Sequence, residues 1–369
     1  MVAMEQKSMQ SVLEYAKMQF EQNLPFVLYN KPNSNRLIGF FQKDSQLHLV
    51  KNFKEIGFVF APFDKQKIVL IPQNQSVCYW AECKVEAILQ NQFSPIEIEN
   101  QESKAAFEKL VKEAIDSIAT GLFQKVVLSR KETVALVNFD LLSLFSRLLN
   151  ENPTAFAYCF YHPDVGLWVG AFSEQLVRIA GSEFQTMAVA GTQMPRENET
   201  VVWEKKEQEE QQFVSDFIVE NLKSVASKIT MSASYTLRAG KVAHLKTDIQ
   251  GMLKVDSDLK KVLAVLHPTP AVCGFPKASA KQFILKHEGY DRQYYSGFFG
   301  EWNTDFETAE EITDLYVNLR CMKIKNNQAF LYVGCGITKD SSPEKEWMET
   351  VNKSITMKRI LTTTISSKH

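Results

Sequence analysis

Gly334-Cys335-Gly336-Ile337, followed by Asp340-Ser341-Ser342-Pro343-Glu344-Lys345-Glu346-Trp347-Met348-Glu349-Thr350-Val351-Asn352-Lys353, is the stretch on which the reading of this chain turns. A glycine-punctuated apolar run passes into a helix. Pro343 suits the first helical turn, and Ser341 or Ser342 can cap it. On that helix Glu346 and Glu349 are three residues apart and share a face, and Lys353 follows Glu349 by four. A second stretch, Glu204-Lys205-Lys206-Glu207-Gln208-Glu209-Glu210, sets Glu207 and Glu210 at the same spacing. Glutamates are common on solvated helix faces, and each pair taken alone reads that way. Two such pairs in one chain can instead converge on a hard divalent cation such as Mg2+, which prefers oxygen ligands.

The chain has 369 residues, 45% of them hydrophobic and 25 of them phenylalanine, enough for a substantial core. A formal net charge of −1 gives no electrostatic case for nucleic acid or a membrane surface as partner. No run approaches the roughly 18 apolar residues of a membrane span. Met1 to Gln10 lacks the apolar core of a signal peptide. The six cysteines contain no Cys-x-x-Cys and read as reduced thiols of a cytoplasmic protein.

Helical spacing is expected over 8–22, 104–120, about 198–226, 257–264, 277–288 and 343 to about 359. Strand-like runs cover 26–29, 37–41, 47–50, 68–71, 125–130, 155–161, 167–171, 175–180 and 184–190. Further strands are expected over 232–239, 241–245, 293–302, 312–323 and 327–333. The polar segment 91–103 reads as a loop. Strands come in meandering runs with helices between the runs, the α+β pattern. No low-complexity linker divides the chain, and its length allows one large domain or two ordinary ones.

Several residues can carry chemistry. Lys125 begins the apolar strand Lys125-Val126-Val127-Leu128-Ser129-Arg130. Such a lysine usually snorkels to the surface, but in a cleft its pKa would fall and it would serve as a general base. Glu174, in Gly170-Ala171-Phe172-Ser173-Glu174-Gln175, lies at a turn between two apolar strands. Solvated it is inert; in a dry site its pKa would rise and it would donate a proton. Ala190-Gly191-Thr192 ends a strand and offers N–H groups and a hydroxyl to a carboxylate. Arg320 closes Val317-Asn318-Leu319-Arg320 and can clamp a carboxylate with two hydrogen bonds, although a surface ion pair is the default. His244 and His267 read as structural. No phosphate loop, dinucleotide fingerprint or Ser/His/Asp signature occurs. The residues together describe a site for a small, anionic, oxygen-rich molecule.

With these motifs in view, the chain resembles the chorismate-binding family, which includes anthranilate synthase component I, aminodeoxychorismate synthase, salicylate synthase and isochorismate synthase. The resemblance rests on Lys125–Arg130, Gly170–Glu174, Ala190–Thr192, Lys206–Glu210, Leu266–Val272, Tyr295–Gly300, Leu319-Arg320 and the C-terminal stretch. It covers about 104–360; residues 1 to about 100 match only in general character. It implies the fold of anthranilate synthase component I, one large domain over residues 1–369 with two facing β-sheets flanked by helices. Ala190 stands where the resemblance places the nucleophilic lysine of aminodeoxychorismate synthase. Ala271 stands where ammonia-using and salicylate-forming relatives carry threonine. The isochorismate-forming branch is therefore the closest.

That branch implies a Mg2+-dependent conversion of chorismate to isochorismate. Lys125 would be the base and Glu174 the acid. Glu210 and Glu349, supported by Glu207 and Glu346, would hold the ion. Gly191, Thr192, Ala271, Tyr295, Arg320, Gly334, Gly336 and Lys353 would hold the substrate. No obligatory protein partner is implied. Salicylate synthase and anthranilate synthase are the alternatives within the family, and a non-catalytic chorismate-binding protein is the alternative outside it. Gln211 in place of a histidine, Phe172-Ser173 in place of Ser-Pro, and Cys273 and Cys335 in place of small residues depart from the family pattern.

Overall fold

The structure, a computed structural model, describes residues 4–64, 67–83, 101–193, 201–239 and 242–361. Two sheets, each of ten strands among these residues, form the body. The first sheet runs in the order Glu5–Gln6, Ser76–Glu82, Arg36–Gln42, Phe26–Asn30, Phe156–His162, Gly166–Phe172, Cys321–Lys325, Gln328–Ile337, Lys125–Ala135 and Gly274–Phe275. The second runs Ala226–Met231, Val242–Leu253, Glu183–Gln193, Gln175–Ala180, Ile312–Val317, Phe298–Trp302, Gly57–Ala61, Val69–Pro72 and His48–Leu49, with Tyr235–Ala239 beside Val242–Leu253. Strands of the N-terminal third are thus built into both sheets. Phe26–Asn30 pairs with Phe156–His162, and Gly57–Ala61 with Phe298–Trp302.

The sheets face each other across an aromatic layer. Phe60 of the second sheet lies 4.5 Å from Phe160 and 5.6 Å from Tyr158 of the first, ring centre to ring centre. Tyr29, Phe58, Phe156, Trp168 and Phe299 are buried in the same layer. Strands buried on both faces carry apolar residues in nearly continuous runs, as in Phe156–Tyr161, rather than in alternation. Helices cover the outer faces. Met9–Glu21 and Leu141–Glu151 pack on the first sheet, and Lys205–Leu222 and Leu259–Leu266 on the second. Gln101–Ala119, Lys277–His287 and Pro343–Leu361 close over the end of the first sheet that carries Lys125–Ala135.

This is the expected α+β arrangement, with local differences. The loop expected over 91–103 lies outside the described residues up to 100, and Gln101–Ser103 opens the helix Gln101–Ala119. The helix expected from about 198 starts at Lys205; residues 198–200 lie outside the described residues. Leu141–Glu151, capped by Asp140 through the Ser143 N–H at 2.8 Å, and Gly57–Ala61 are elements that the periodicity reading does not include.

The main correction concerns 312–323. It is not one strand. Ile312–Val317 belongs to the second sheet and Cys321–Lys325 to the first. The chain crosses between the sheets at Asn318-Leu319-Arg320, where Arg320 takes a φ of 47°. That left-handed conformation ends a strand. A neighbouring crossing, Ser173-Glu174, joins Gly166–Phe172 of the first sheet to Gln175–Ala180 of the second. The crossings are tied by the Val317 N–H on the Glu174 carbonyl at 2.9 Å and the Ala171 N–H on the Arg320 carbonyl at 3.2 Å.

Candidate active site

Lys125 starts its strand and is buried, 6% exposed. Its stem lies over Gly336 of the adjoining strand, where a Cβ would stand 3.0 Å from Lys125 Cε. Glycine there keeps the path of the lysine open. The Lys125 Nζ donates to Glu210 Oε1 at 2.8 Å. Glu210 belongs to Lys205–Leu222, the helix packed on the second sheet, so this ion pair links a strand of the first sheet to the helix carried by the second.

Glu174 enters from the crossing and is 9% exposed. Burial raises its carboxyl from an ordinary 4.5 to about 7, while the charges of Arg320 and Lys125 draw it back. A carboxyl poised there holds a proton near neutrality and can donate it. Arg320 lies in the neighbouring crossing, its guanidinium 5.7 Å from the centre of the Phe172 ring. The phenylalanine that departs from the family pattern thus serves as a platform for the arginine. Burial lowers the Arg320 pKa, and Tyr295, Glu349 and Glu174 oppose that effect.

The C-terminal helix brings its residues to the same place. It runs from Pro343 to Leu361, with proline at its first position as the sequence implies. Arg130 pins it to the Lys125 strand by donating from Nε to Thr350 Oγ1 at 2.8 Å, with its guanidinium 4.3 Å from the Trp347 ring centre. Lys353 Nζ donates to the Gly334 carbonyl at 3.0 Å and pairs with Glu349. A Cβ on Gly334 would stand 2.6 Å from the Leu128 carbonyl oxygen and 2.9 Å from the Tyr295 hydroxyl. Gly334 therefore admits Tyr295, itself buried.

Gly191 forms a β-bulge in Glu183–Gln193, with a φ of 67° and a shift of register between Ala190 and Thr192. Its carbonyl accepts from His244 Nδ1 at 3.1 Å. Burial lowers His244 to about 4, so the ring is neutral at pH 7 and donates from Nδ1. His244 is thus a support of the bulge, a role the sequence left at "structural". Of Thr192 only the backbone is described. Ala271 is half-buried in the segment after Leu259–Leu266, two residues before Cys273, whose carbonyl accepts from the Val127 N–H at 2.9 Å.

The four glutamates have separate partners. Glu210 is on Lys125 and Glu349 on Lys353. Glu207 folds back on its own helix start: Oε2 accepts from the Glu204 N–H at 2.7 Å, and Oε1 from Gln193 Nε2 at 3.1 Å. As the third residue of the helix it completes a capping interaction. Glu346 is raised by burial and by Glu349, against a hydrogen bond from Ser341. Among the described residues no three His, Cys, Asp or Glu side chains are gathered closely enough to hold an ion. The donor chemistry nonetheless fits a hard cation. The charge of Glu349 raises Glu346, and Glu210 Oε1 lies on Lys125 beside Gly336; carboxylate oxygens of this kind are what a hard cation takes.

Of the other departures from the family pattern, Cys335 lies at the site, its thiol hydrogen-bonded to Glu346, while Gln211 serves the packing of its helix. Gln211, 2% exposed, donates to the Ala188 carbonyl at 3.0 Å and to Thr247 Oγ1 at 3.1 Å, fastening its helix to the second sheet. Cys273 and Cys335 are buried in the apolar cluster beneath the C-terminal helix. All six cysteines are free thiols. No helix among the described residues is long and apolar enough to cross a membrane.

Sheets, crossings and cleft together define a class. A family model described as chorismate binding enzyme matches residues 65–362, and the chain belongs to that family. Among its relatives, isochorismate synthase EntC of Escherichia coli (strain K12) is 28% identical over 343 residues, 89% of this chain and 86% of that protein. Isochorismate synthase MenF of the same strain is 32% identical over 271 residues, 70% of this chain and 60% of that protein. The solved structure of MenF, the menaquinone-specific isochorismate synthase from Escherichia coli, matches with a TM-score of 0.75 at 22% identity, covering 92% of this chain and 89% of that one. Anthranilate synthase component I from Streptococcus pneumoniae TIGR4 matches with a TM-score of 0.66 at 19% identity, covering 90% and 92%. The two structures establish the shared fold.

Proposed function

We propose that this chain is an isochorismate synthase, acting as one domain on chorismate with Mg2+. The observation that carries the reading is Glu174, a buried acid held near neutral pH within the electrostatic reach of Lys125 and Arg320. An acid and an amine facing one cleft can remove a hydroxyl on one side of a ring while water enters on the other. Lys125 takes a proton from water, and the resulting oxygen bonds to C2 of the ring. The ring double bonds shift, the C4–O bond breaks, and Glu174 protonates the departing hydroxyl as water. Water is added and water is lost, so product and substrate are isomers and the reaction is reversible. Arg320, Tyr295, Lys353 and the backbone near Gly191, Gly334 and Gly336 receive the enolpyruvyl carboxylate.

Glu210 and Glu349, with Glu346 beside them, are the residues that would hold Mg2+. Glu207 joins them only by releasing its helix start. The bound ion would supply positive charge to the ring carboxylate. Lys125 and Lys353 hold the two leading carboxylates in this structure; a carboxylate turned to the ion would release its lysine, and Lys125 would act as base only after shedding its own proton to solvent. Alanine at 190 leaves the covalent amination route without a nucleophile. Both compared relatives carry the name isochorismate synthase. The reading places the enzyme in the cytoplasm and calls for no nucleic acid, membrane or partner subunit.

The test is to incubate the full chain with chorismate and Mg2+ and resolve the products by chromatography. Isochorismate alone supports the proposal. Salicylate with pyruvate would make the chain a salicylate synthase, and fluorescent anthranilate on adding ammonia an anthranilate synthase. Chorismate binding without turnover would make it a binding protein.

A further inference from the structure

Beneath the cleft lies a buried ion pair with no part in the chemistry described so far. Glu288 follows the helix Lys277–His287, and Arg292 comes four residues later. Their side chains are 1% and 2% exposed. Arg292 Nε donates to Glu288 Oε2 at 2.8 Å, and Nη2 reaches Oε1, closing a fork. The remaining donors leave the pair. Nη1 donates to the Val272 carbonyl at 2.9 Å and Nη2 to the Val127 carbonyl at 2.6 Å. Glu288 Oε1 also accepts from the Ser129 N–H at 2.7 Å and its hydroxyl at 3.0 Å. The Ser129 hydroxyl lies 2.7 Å from that of Tyr290. The arginine plane is sandwiched, 4.5 Å from the Phe63 ring centre and 5.8 Å from that of Tyr295.

Each of these contacts lands beside a residue of the site. Val127 and Ser129 are the second and fourth positions after Lys125 on one strand, so they share its face. Val272 follows Ala271 directly. The Tyr295 N–H donates to the Arg292 carbonyl at 3.0 Å. A buried ion pair adds little net stability over apolar packing of the same volume, so stability is a weak reason for this one. What it supplies is geometry: two carbonyls and a carboxylate held at fixed angles by one planar group, which a lysine cannot reproduce.

We propose that Arg292, locked by Glu288, is a positioning residue that holds the Lys125 strand, the Ala271 segment and Tyr295 in one frame. The inference rests on the isochorismate synthase reading for the identity of the reaction, and on the hydrogen bonds for the frame. Arg292→Lys keeps the charge and removes the fork. Ser129→Ala is the milder probe; it deletes the hydroxyl between Glu288 and Tyr290 and leaves the backbone bond intact.

The test compares kcat and KM for chorismate, Mg2+ affinity by calorimetry, and thermal unfolding for wild type and both variants. A displacement of about 1 Å at a reacting group costs on the order of 100-fold in rate, and that is the expected loss in kcat for Arg292→Lys. Ser129→Ala should lose a smaller factor, about 10-fold, in the same parameter. Mg2+ affinity should stay within about 3-fold, because the carboxylate-bearing helices are not part of the frame, whereas KM should rise along with the loss in kcat, because Tyr295 and the Ala271 segment belong to it. A folded Arg292→Lys enzyme with wild-type kcat overturns the proposal. So does a loss explained wholly by a smaller folded fraction. If Arg292→Lys fails to fold, Ser129→Ala decides alone, and wild-type kcat there overturns the proposal. If the wild-type chain converts chorismate to another product, the function reading fails, and the same comparison on that product still decides Arg292. If the wild type does not turn over chorismate at all, both fail.

Discussion

Glu174→Gln should make the protein inactive and, at alkaline pH, more stable. The wild-type carboxyl is raised by burial to about 7 from an ordinary 4.5. Below pH 4.5 it is protonated both folded and unfolded, and the folded state carries no penalty. Between 4.5 and 7 the unfolded chain gives up its proton and the folded chain keeps it, so stability falls as pH rises. At about 1.36 kcal/mol for each pH unit, the interval amounts to roughly 3 kcal/mol, and it is fully lost above pH 7. Glutamine keeps the shape of the neutral acid and does not titrate. The assay is urea unfolding of both proteins at pH 5 and pH 8.5, with turnover measured alongside. Relative to wild type, the glutamine variant should gain about 2 to 3 kcal/mol between the two pH values and lose about 100- to 10,000-fold in kcat. On the wild-type enzyme, kcat/KM should decline as pH rises through 7, because the free enzyme loses the donor. Parallel stability profiles for the two proteins would show that Glu174 titrates normally, and the argument for its role as acid would fall.

Three further outcomes follow from the site. Lys125→Ala should lower turnover by about 100- to 10,000-fold while the chain stays folded; a variant keeping a tenth of wild-type rate would remove Lys125 from the mechanism. Chelation should abolish activity and Mg2+ restore it, and calorimetry on Glu210→Gln and Glu349→Gln should show weakened Mg2+ binding; full turnover in excess chelator would end the case for the ion. Ala271→Thr adds a hydroxyl and a methyl beside the ring and should cost about 1–3 kcal/mol, roughly 5- to 150-fold in rate. An unchanged rate and product for that variant would show that position 271 does not line the site.

Much of the cleft was readable in the chain. Lys125 begins its strand, Glu346 and Glu349 lie on one helix behind Pro343, and Gly336 gives the lysine room. Arg320 reads as part of a strand because apolar residues recur from Ile312 to Ile324 with no glycine, proline or polar cluster to mark a break. An apolar run carries no mark of which sheet each half joins, and only the φ of 47° at Arg320 betrays the break. Glu174 was read at a turn for the same reason: a hairpin and a crossing between sheets look alike in sequence. Glu207 matched the spacing of a ligand, yet spacing is silent on competition, and the unsatisfied N–H at the helix start claims its carboxylate. Glu288 and Arg292 carry no signal in sequence because an acid and a base four apart are commonplace; their meaning lies in the carbonyls of Val272 and of Val127, the latter in a strand far away in the chain.

The two crossings also set where this chain can change length. Only Ser173 and Glu174 separate one pair of strands, and only Asn318 to Arg320 the other. The proton donor and the arginine sit in these short bridges, each tethered at both ends to a different sheet. One inserted residue in either bridge would turn its side chain away and break the bonds that join the two. The hairpin tips at 163–164 and 326–327, by contrast, join neighbours in one sheet and are exposed. Insertions and deletions in natural variants of this chain should therefore accumulate at such tips, and the spacing of both bridges should stay invariant.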